Sequence, residues 1–356
     1  MMLKKLLLLS PNIMFQINFK LASFLFFLSI CSLQAQQVSG VVYNKKTQEP
    51  MEGVTVYFNN TTIGTITNSK GIFKLDIQEI RTSLVVSFLG FKKIVQENYS
   101  EDKVYTFYLE EEISVLNEVV ISTQDSWTRE HKLIQFKRHF LGYSKNALSC
   151  SILNEDEIFL KFDEKSMQLT ATSKTPIIIK NDNLKYEIAY DLQDFEVTYK
   201  INSTNNQNGH PYVKRVYYEG TSYYKSLLDE PKNRIGKRRE EAYKGSVLYF
   251  MRALFKDTLI KDCFTFYYNK EQIPIENYLS LYKTQHDNLI KVRLYKALDV
   301  VDPFGCQSTI TPLDTYFYVN SLGNYSPVNA ISFSGYMGEQ RVGDALPLDY
   351  QPTLEN

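Results

Sequence analysis

The chain has 356 residues, with 40 Lys and Arg balanced by 40 Asp and Glu, so no global field draws it to nucleic acid or to an acidic surface. Its 26 Tyr and 22 Phe beside a single Trp suit β-rich structure with amphipathic faces. The length supports two domains with cores of their own.

Residues 1–35 read as a signal peptide. Lys4, Lys5 and Lys20 precede an apolar run over 21–33, which suits an h-region and falls short of the roughly 20 residues that span a bilayer. The run ends in Ser32-Leu33-Gln34-Ala35, placing cleavage after Ala35, and Met14 is an alternative start. Cys31 invites a lipid anchor, but Ile30 stands where that pattern wants Gly or Ala, so Cys31 reads as an ordinary h-region cysteine. The remaining Cys150, Cys263 and Cys306 are odd in number and irregularly spaced, which favours buried apolar thiols over a disulfide framework. No later run has membrane-spanning length.

From Val38 the chain alternates short strands with turns, and the spacing predicts an antiparallel sandwich of seven strands at 38–43, 54–58, 63–67, 72–76, 83–88, 91–95 and 104–109. Gly71 suits the φ > 0 position of a tight turn, and Gly90 is expected to let two strands reverse closely between Phe88 and Phe91. Gly40-Val41-Val42, Pro50-Met51-Glu52-Gly53-Val54-Thr55-Val56, the stretch 64–73 and Ser87-Phe88-Leu89-Gly90-Phe91 resemble the carboxypeptidase-regulatory-like domain. The resemblance implies a transthyretin-like or Ig-like sandwich over 38–122, of the kind that fronts TonB-dependent outer-membrane receptors of Bacteroidota. Leu116-Asn117-Glu118-Val119-Val120-Ile121 is similar to the segment that closes it there. A receptor would continue into a plug and a barrel; nothing plug-like follows Ile121, so the chain does not read as a transporter.

Asp125-Ser126 is expected to cap a linking helix within 123–146, whose apolar stripe carries Trp127, Ile134 and Leu141 beside Leu133, Phe136 and Phe140. Residues 147–356 read as one β-rich α+β domain. Strands are expected at 158–163, 167–172, 177–180, 186–190, 195–201 and 212–218, then around 264–268, 289–298, 315–319 and 331–333. The alternation Lys185-Tyr186-Glu187-Ile188-Ala189-Tyr190 marks a sheet with one wet face. A second amphipathic helix is expected over 237–256. The arrangement around 238–254 resembles the second half of uncharacterised two-part Bacteroidota proteins, which implies no activity.

Chemistry is sparse. None of His131, His139, His210 or His286 lies in a His-x-x-Glu or His-Glu-x-x-His pair, so a zinc peptidase is not indicated. Gly142-Tyr143-Ser144-Lys145-Asn146 misses the nucleophile-elbow pattern, and no phosphate loop or Cys-x-x-Cys occurs; no cofactor is implied. The acidic run Glu110-Glu111-Glu112 lacks calcium-loop spacing and reads as a solvated strand end. Two binding surfaces stand out. Lys232, Arg234, Lys237, Arg238 and Arg239 form the densest basic patch, suited to phosphates or an acidic partner unless the arginines pair internally. Tyr217, Tyr218, Tyr223 and Tyr224 offer aromatic faces on which sugar rings stack, with sheet packing as the competing account.

The sequence reading is therefore a non-enzymatic, exported cell-envelope protein, a binding or structural adaptor in the periplasm or at the outer membrane. Its partner would be an outer-membrane protein or an envelope glycan. A carbohydrate-binding module and a hydrolase with an unrecognised site in 147–356 remain alternatives.

Overall fold

The computed structural model describes residues 37–77, 82–100, 103–112, 126–201, 211–228 and 233–352. The leader with Cys31, the segment 116–121, Asp125, His210 and Lys232 lie outside the described residues.

The first unit is built from β1 (Gln37–Asn44), β2 (Thr55–Phe58), β3 (Gly64–Ile66), β4 (Ile72–Asp76), β5 (Leu84–Ser87), β6 (Ile94–Gln96) and β7 (Val104–Leu109). They form two facing sheets, ordered β4-β1-β7 and β3-β2-β5-β6. Inward positions alternate with solvated ones, so Val38, Val42, Phe58, Phe73, Leu84 and Leu109 make one core between the sheets. The pairing is not antiparallel throughout: β7 runs parallel to β1, from Ser39 opposite Val104 to Asn44 opposite Leu109. The chain leaves one sheet at β4 and returns from the other after β6, and such a crossover permits the parallel direction that a hairpin forbids. Gly71 has φ +70°, and a Cβ there would lie 2.5 Å from the Val42 carbonyl oxygen. Gly90 has φ +82° but open space around it, so its dihedral angle and not a close strand approach requires glycine.

The second unit opens with α1 (Arg129–Phe140). Its cap is Thr128, whose hydroxyl accepts from the His131 amide, because Trp127 leaves the helix to stack 3.9 Å over Phe162. Ile134 is accordingly not part of the inward stripe and is 62% exposed; Phe136 and Phe140, four apart, are the residues that reach the core. After α2 (Lys145–Leu148) come β8 (Cys150–Ile152), β9 (Ile158–Asp163), β10 (Gln168–Ser173) and β11 (Ile177–Asn181). The expected strands at 186–190 and 195–201 are one strand, β12 (Tyr186–Ile201), bent at a register shift between Leu192 and Asp194. One edge of β12 carries β11 and then β10, and the other carries β13 (Pro211–Ser226) along its length. Tyr186, Ile188 and Tyr190 all point inward, as their alternation requires.

The helix expected over 237–256 is two helices, α3 (Asn233–Tyr243) and α4 (Val247–Phe255). Gly245 turns the chain at φ +72°, and the Ser246 hydroxyl caps the second helix by accepting from the Tyr249 amide at 3.0 Å. The remaining strands are β14 (Thr265–Tyr268), β15 (Glu271–Ile273), β16 (Leu279–Lys283), β17 (Leu289–Leu294), β18 (Leu298–Val301), β19 (Gln307–Pro312), β20 (Phe317–Asn320), β21 (Tyr325–Ser326) and β22 (Ile331–Gly335), followed by the turn-length α5 (Tyr336–Glu339). They form two sheets, β15-β14-β18-β19-β22 and β16-β17-β20-β21. These close with α4 over a core that includes Phe250, Met251, Phe266, Val292 and Phe317. Most buried apolar side chains of 147–356 thus fall into two large clusters, one under the β8–β13 sheet and one here, while Leu322 and Leu348 form a small third.

A tail over 341–351 ties the units together. Val342 and Gly343 amides donate to the carbonyls of Phe140 and Leu141, and Asp344 accepts from the Ser144 hydroxyl and the Asn146 amide. Beyond it, buried Arg252 donates to three carbonyls: Leu322 at 3.0 Å and Leu348 and Tyr350 at 2.9 Å each. Replacing Arg252 by Met should cost about 3 kcal/mol or more, at roughly 1–3 kcal/mol for each buried carbonyl left unpaired. Arg252→Lys should recover little, since one ammonium cannot reproduce the planar fork. Denaturant unfolding of the two variants beside the parent chain checks both expectations.

Candidate functional site

The sandwich does not hang from the rest of the chain; it is joined to it through the loop between β2 and β3. The Asn60 amide donates to the Ser222 carbonyl at 2.7 Å, the Tyr224 amide donates to the Thr61 carbonyl at 2.9 Å, and Thr61 pairs parallel with Tyr223 at the β13 edge. Asn59 and Asn60 side chains accept from the Ser222 amide and hydroxyl. The Tyr57 hydroxyl meets Thr221 at 3.2 Å, and burial in this joint pushes that phenol up to about 12. Lys93 and Asp191 add an ion pair at 2.9 Å. The tail completes the joint, with the Leu348 amide donating to the Asn60 carbonyl and the Asp349 carboxylate accepting from the amide and hydroxyl of Thr62.

Where these segments meet, a cleft of about 730 Å³ opens, within the range of roughly 300–1,000 Å³ that holds small ligands. Thr62 represents the sandwich, and Tyr186 and Ser226 the sheet. Helix α3 supplies Asn233, Gly236, Lys237, Arg239 and Glu240, and the tail supplies Asp349, Tyr350 and Gln351. A shallower basin of about 440 Å³ adjoins it, sharing Asn233 and Lys237 and adding Arg234, Arg238 and Glu241.

The charges in the cleft are unequally satisfied. Asp349 is held by Thr62, and Glu240 pairs with Lys244 at 2.6 Å. Arg239 is buried, donates to the carbonyls of Leu184 at 2.9 Å and Lys185 at 3.2 Å, and lies 3.9 Å from the Tyr186 ring centroid. Burial lowers its pKa, opposed by the neighbouring tyrosines, and no carboxylate pairs with it among the described residues. Burial likewise pushes Tyr186 and Tyr350 up to about 12, so both phenols stay neutral donors at physiological pH.

The structure separates the residues singled out from the sequence. Arg234, Lys237 and Arg238 lie together on α3, whereas Arg239 turns inward to the Tyr186 ring and two carbonyls. The four tyrosines do not share a surface. Tyr218 and Tyr224 pack on the core side of β13, and Tyr223 is tilted 5.3 Å from Tyr57 beneath the sandwich. Tyr217 stands on the outer face, donating to Glu219 at 2.6 Å with Arg215 over its ring. Nothing in the sequence marks Thr62, Tyr186, Asp349, Tyr350 or Gln351 as cleft residues, since no local pattern identifies side chains that meet only after folding.

The remaining titratable groups are dispersed. His131 is exposed beside Trp127, His286 is exposed in the turn between β16 and β17, and His139 is half-buried on α1. No group of three or more His, Cys, Asp or Glu is arranged to hold a metal ion among the described residues. Cys150, Cys263 and Cys306 are free thiols, but Cys263 is exposed rather than buried and the other two are half-buried. Glu110 is a solvated strand end, paired with Lys45 at 3.1 Å.

The strands, turns and glycines of the first unit agree with what a comparison against protein families finds: residues 38–121 match the family described as CarboxypepD_reg-like domain. Residues 38–121 are a CarboxypepD_reg-like domain. This module is a non-catalytic, Ig-like fold, and it contributes Thr62 to the cleft and the Asn60 and Thr61 backbone, with the Asn59 side chain, to the joint. Against curated proteins the chain has no match. No helix among the described residues is long and apolar enough to cross a membrane.

Gly64 sets how closely the CarboxypepD_reg-like domain seats on β13, because a Cβ there would fall 2.6 Å from the Tyr223 ring. Gly64→Leu should therefore loosen the joint, seen as a larger radius of gyration in solution scattering, with the sandwich's own core intact. His139 predicts a pH dependence. Burial, then Arg138 and Arg341, lower its pKa from 6.5 to about 4. Its stabilising contribution is complete above pH 6.5 and is lost as pH falls toward 4, where the unfolded chain binds the extra proton. The melting temperature of His139→Gln should decline less steeply than that of the parent across that window.

Proposed function

We propose that this is an exported, non-enzymatic binding or structural adaptor of the cell envelope, acting in the periplasm or at the outer membrane. The supporting observation is the seating of the CarboxypepD_reg-like domain: paired by backbone to β13 and by Asp349 to the tail, it is a fixed wall of a cleft rather than a tethered appendage. A non-catalytic module used in this way shapes a surface for a partner. The leader-like run over 21–33 supports export, and an outer-membrane protein or an envelope glycan suits that compartment.

Expression of the tagged full chain in a Gram-negative host, with cell fractionation, N-terminal sequencing and cross-linking, tests this. The expected outcome is an envelope-associated protein beginning at Gln36 and cross-linked to an envelope component. Retention in the cytoplasm with the leader intact, or an envelope fraction in which the protein cross-links to nothing, would overturn it.

A further inference from the structure

Helix α3 contains a glycine that neither its backbone nor its packing requires. Gly236 lies in the interior of an 11-residue helix, outside the positive-φ residues, and a Cβ built on it would meet no atom within 4 Å. Glycine at such a place costs about 1 kcal/mol relative to alanine. What the missing side chain does provide is space, because Gly236 lines the cleft between Asn233 and Lys237.

Across the cleft and the adjoining basin the charge is in positive excess. Lys237, Arg239, Arg234 and Arg238 stand against Asp349, Glu240 and Glu241, and Glu240 is already paired with Lys244. Lys237 has no ion pair among the described residues, and Arg239 has only carbonyls and a ring. In the adjoining basin Arg234 and Arg238 face the single carboxylate of Glu241. Beside these cations stand groups suited to hydroxyls: the amides of Asn233 and Gln351 and the hydroxyl of Ser226, with the neutral phenol of Tyr350. Planar amides and hydroxyls around an aromatic ring match the alternating hydroxyl and C–H faces of a pyranose, and the cations match a negative substituent on it.

We infer that the cleft over Gly236 binds an acidic saccharide, with the sugar's carboxylate or phosphate at Lys237 and Arg239 and its hydroxyls at Asn233, Gln351 and Ser226. The inference gives the adaptor reading a ligand class and rests on it only for where such sugars would be met. A test on the purified mature chain can therefore fail while envelope placement stands, and the reverse.

The experiment is isothermal titration calorimetry of the mature chain with galacturonic acid trisaccharide, galactose 6-phosphate and, as the neutral control, a galactose trisaccharide. At least one acidic sugar should bind, distinguishing a carboxylate from a phosphate requirement, and the neutral one should bind at least tenfold more weakly. Lys237→Glu should reduce the acidic sugar's affinity tenfold or more. Gly236→Ala should melt no lower than the parent chain and keep binding, while Gly236→Trp, which fills the cleft, should abolish it with circular dichroism unchanged. Should Gly236→Trp misfold, Gln351→Ala on the tail must weaken binding by itself. Absence of binding by both acidic sugars, equal binding of the neutral one, or affinity undiminished in Lys237→Glu would overturn the inference.

Discussion

Three backbone carbonyls from two segments, 70 to 98 positions beyond it, converge on the guanidinium of Arg252, and the arrangement of the molecule depends on that convergence. A buried cation without a carboxylate is tolerable only if its donors are used, and an arginine fork can use several at once. Its acceptors belong to Leu322 in the turn between β20 and β21 and to Leu348 and Tyr350 of the tail. The tail is thereby held where Leu348 packs with Leu322, Leu248 and Ile63, and where its amide reaches Asn60 of the sandwich. Farther back, Gly343 accepts from the buried Asn181 side chain, which fixes the same strap to the central sheet.

Held in this way, the tail and the β2–β3 loop become two walls of one space. Thr62 donates to Asp349 where the two walls meet, which fixes the carboxylate in place while its negative charge still acts on the neighbouring Tyr186. Arg239 repeats on α3 the device used by Arg252 on α4: a guanidinium pinned by carbonyls and laid against a tyrosine ring. In both cases an inward arginine sets the angle of its helix, and the exposed cations beside Arg239 are left to face solvent or a ligand.

Much of the local structure was legible because its causes are local. Seven strands of the sandwich follow from period-two alternation and turn residues, and each agrees with its expected place within a few positions. The apolar pattern over 237–256 hardly pauses and so implies one continuous helix, although Gly245-Ser246 carries both a left-handed turn and a cap. Spacing alone places Ile134 inward. Spacing cannot say which of two overlapping stripes a neighbouring sheet will cover, and the stacking of Trp127 on Phe162 set that choice. The parallel pairing of β1 with β7 was equally hidden, since it joins the two ends of the module.

The sequence by itself determined the β-rich class, the CarboxypepD_reg-like module and the concentration of cations near residue 238, all of which are properties of contiguous stretches. Tertiary structure alone decided that 147–356 holds two cores, that the four tyrosines part to three different environments, and that a cleft exists at all. The physical reason is common to the three. A side chain's partner across a sheet or between units is chosen by packing among residues more than a hundred positions apart, as Thr62 and Asp349 are, and no local pattern encodes it.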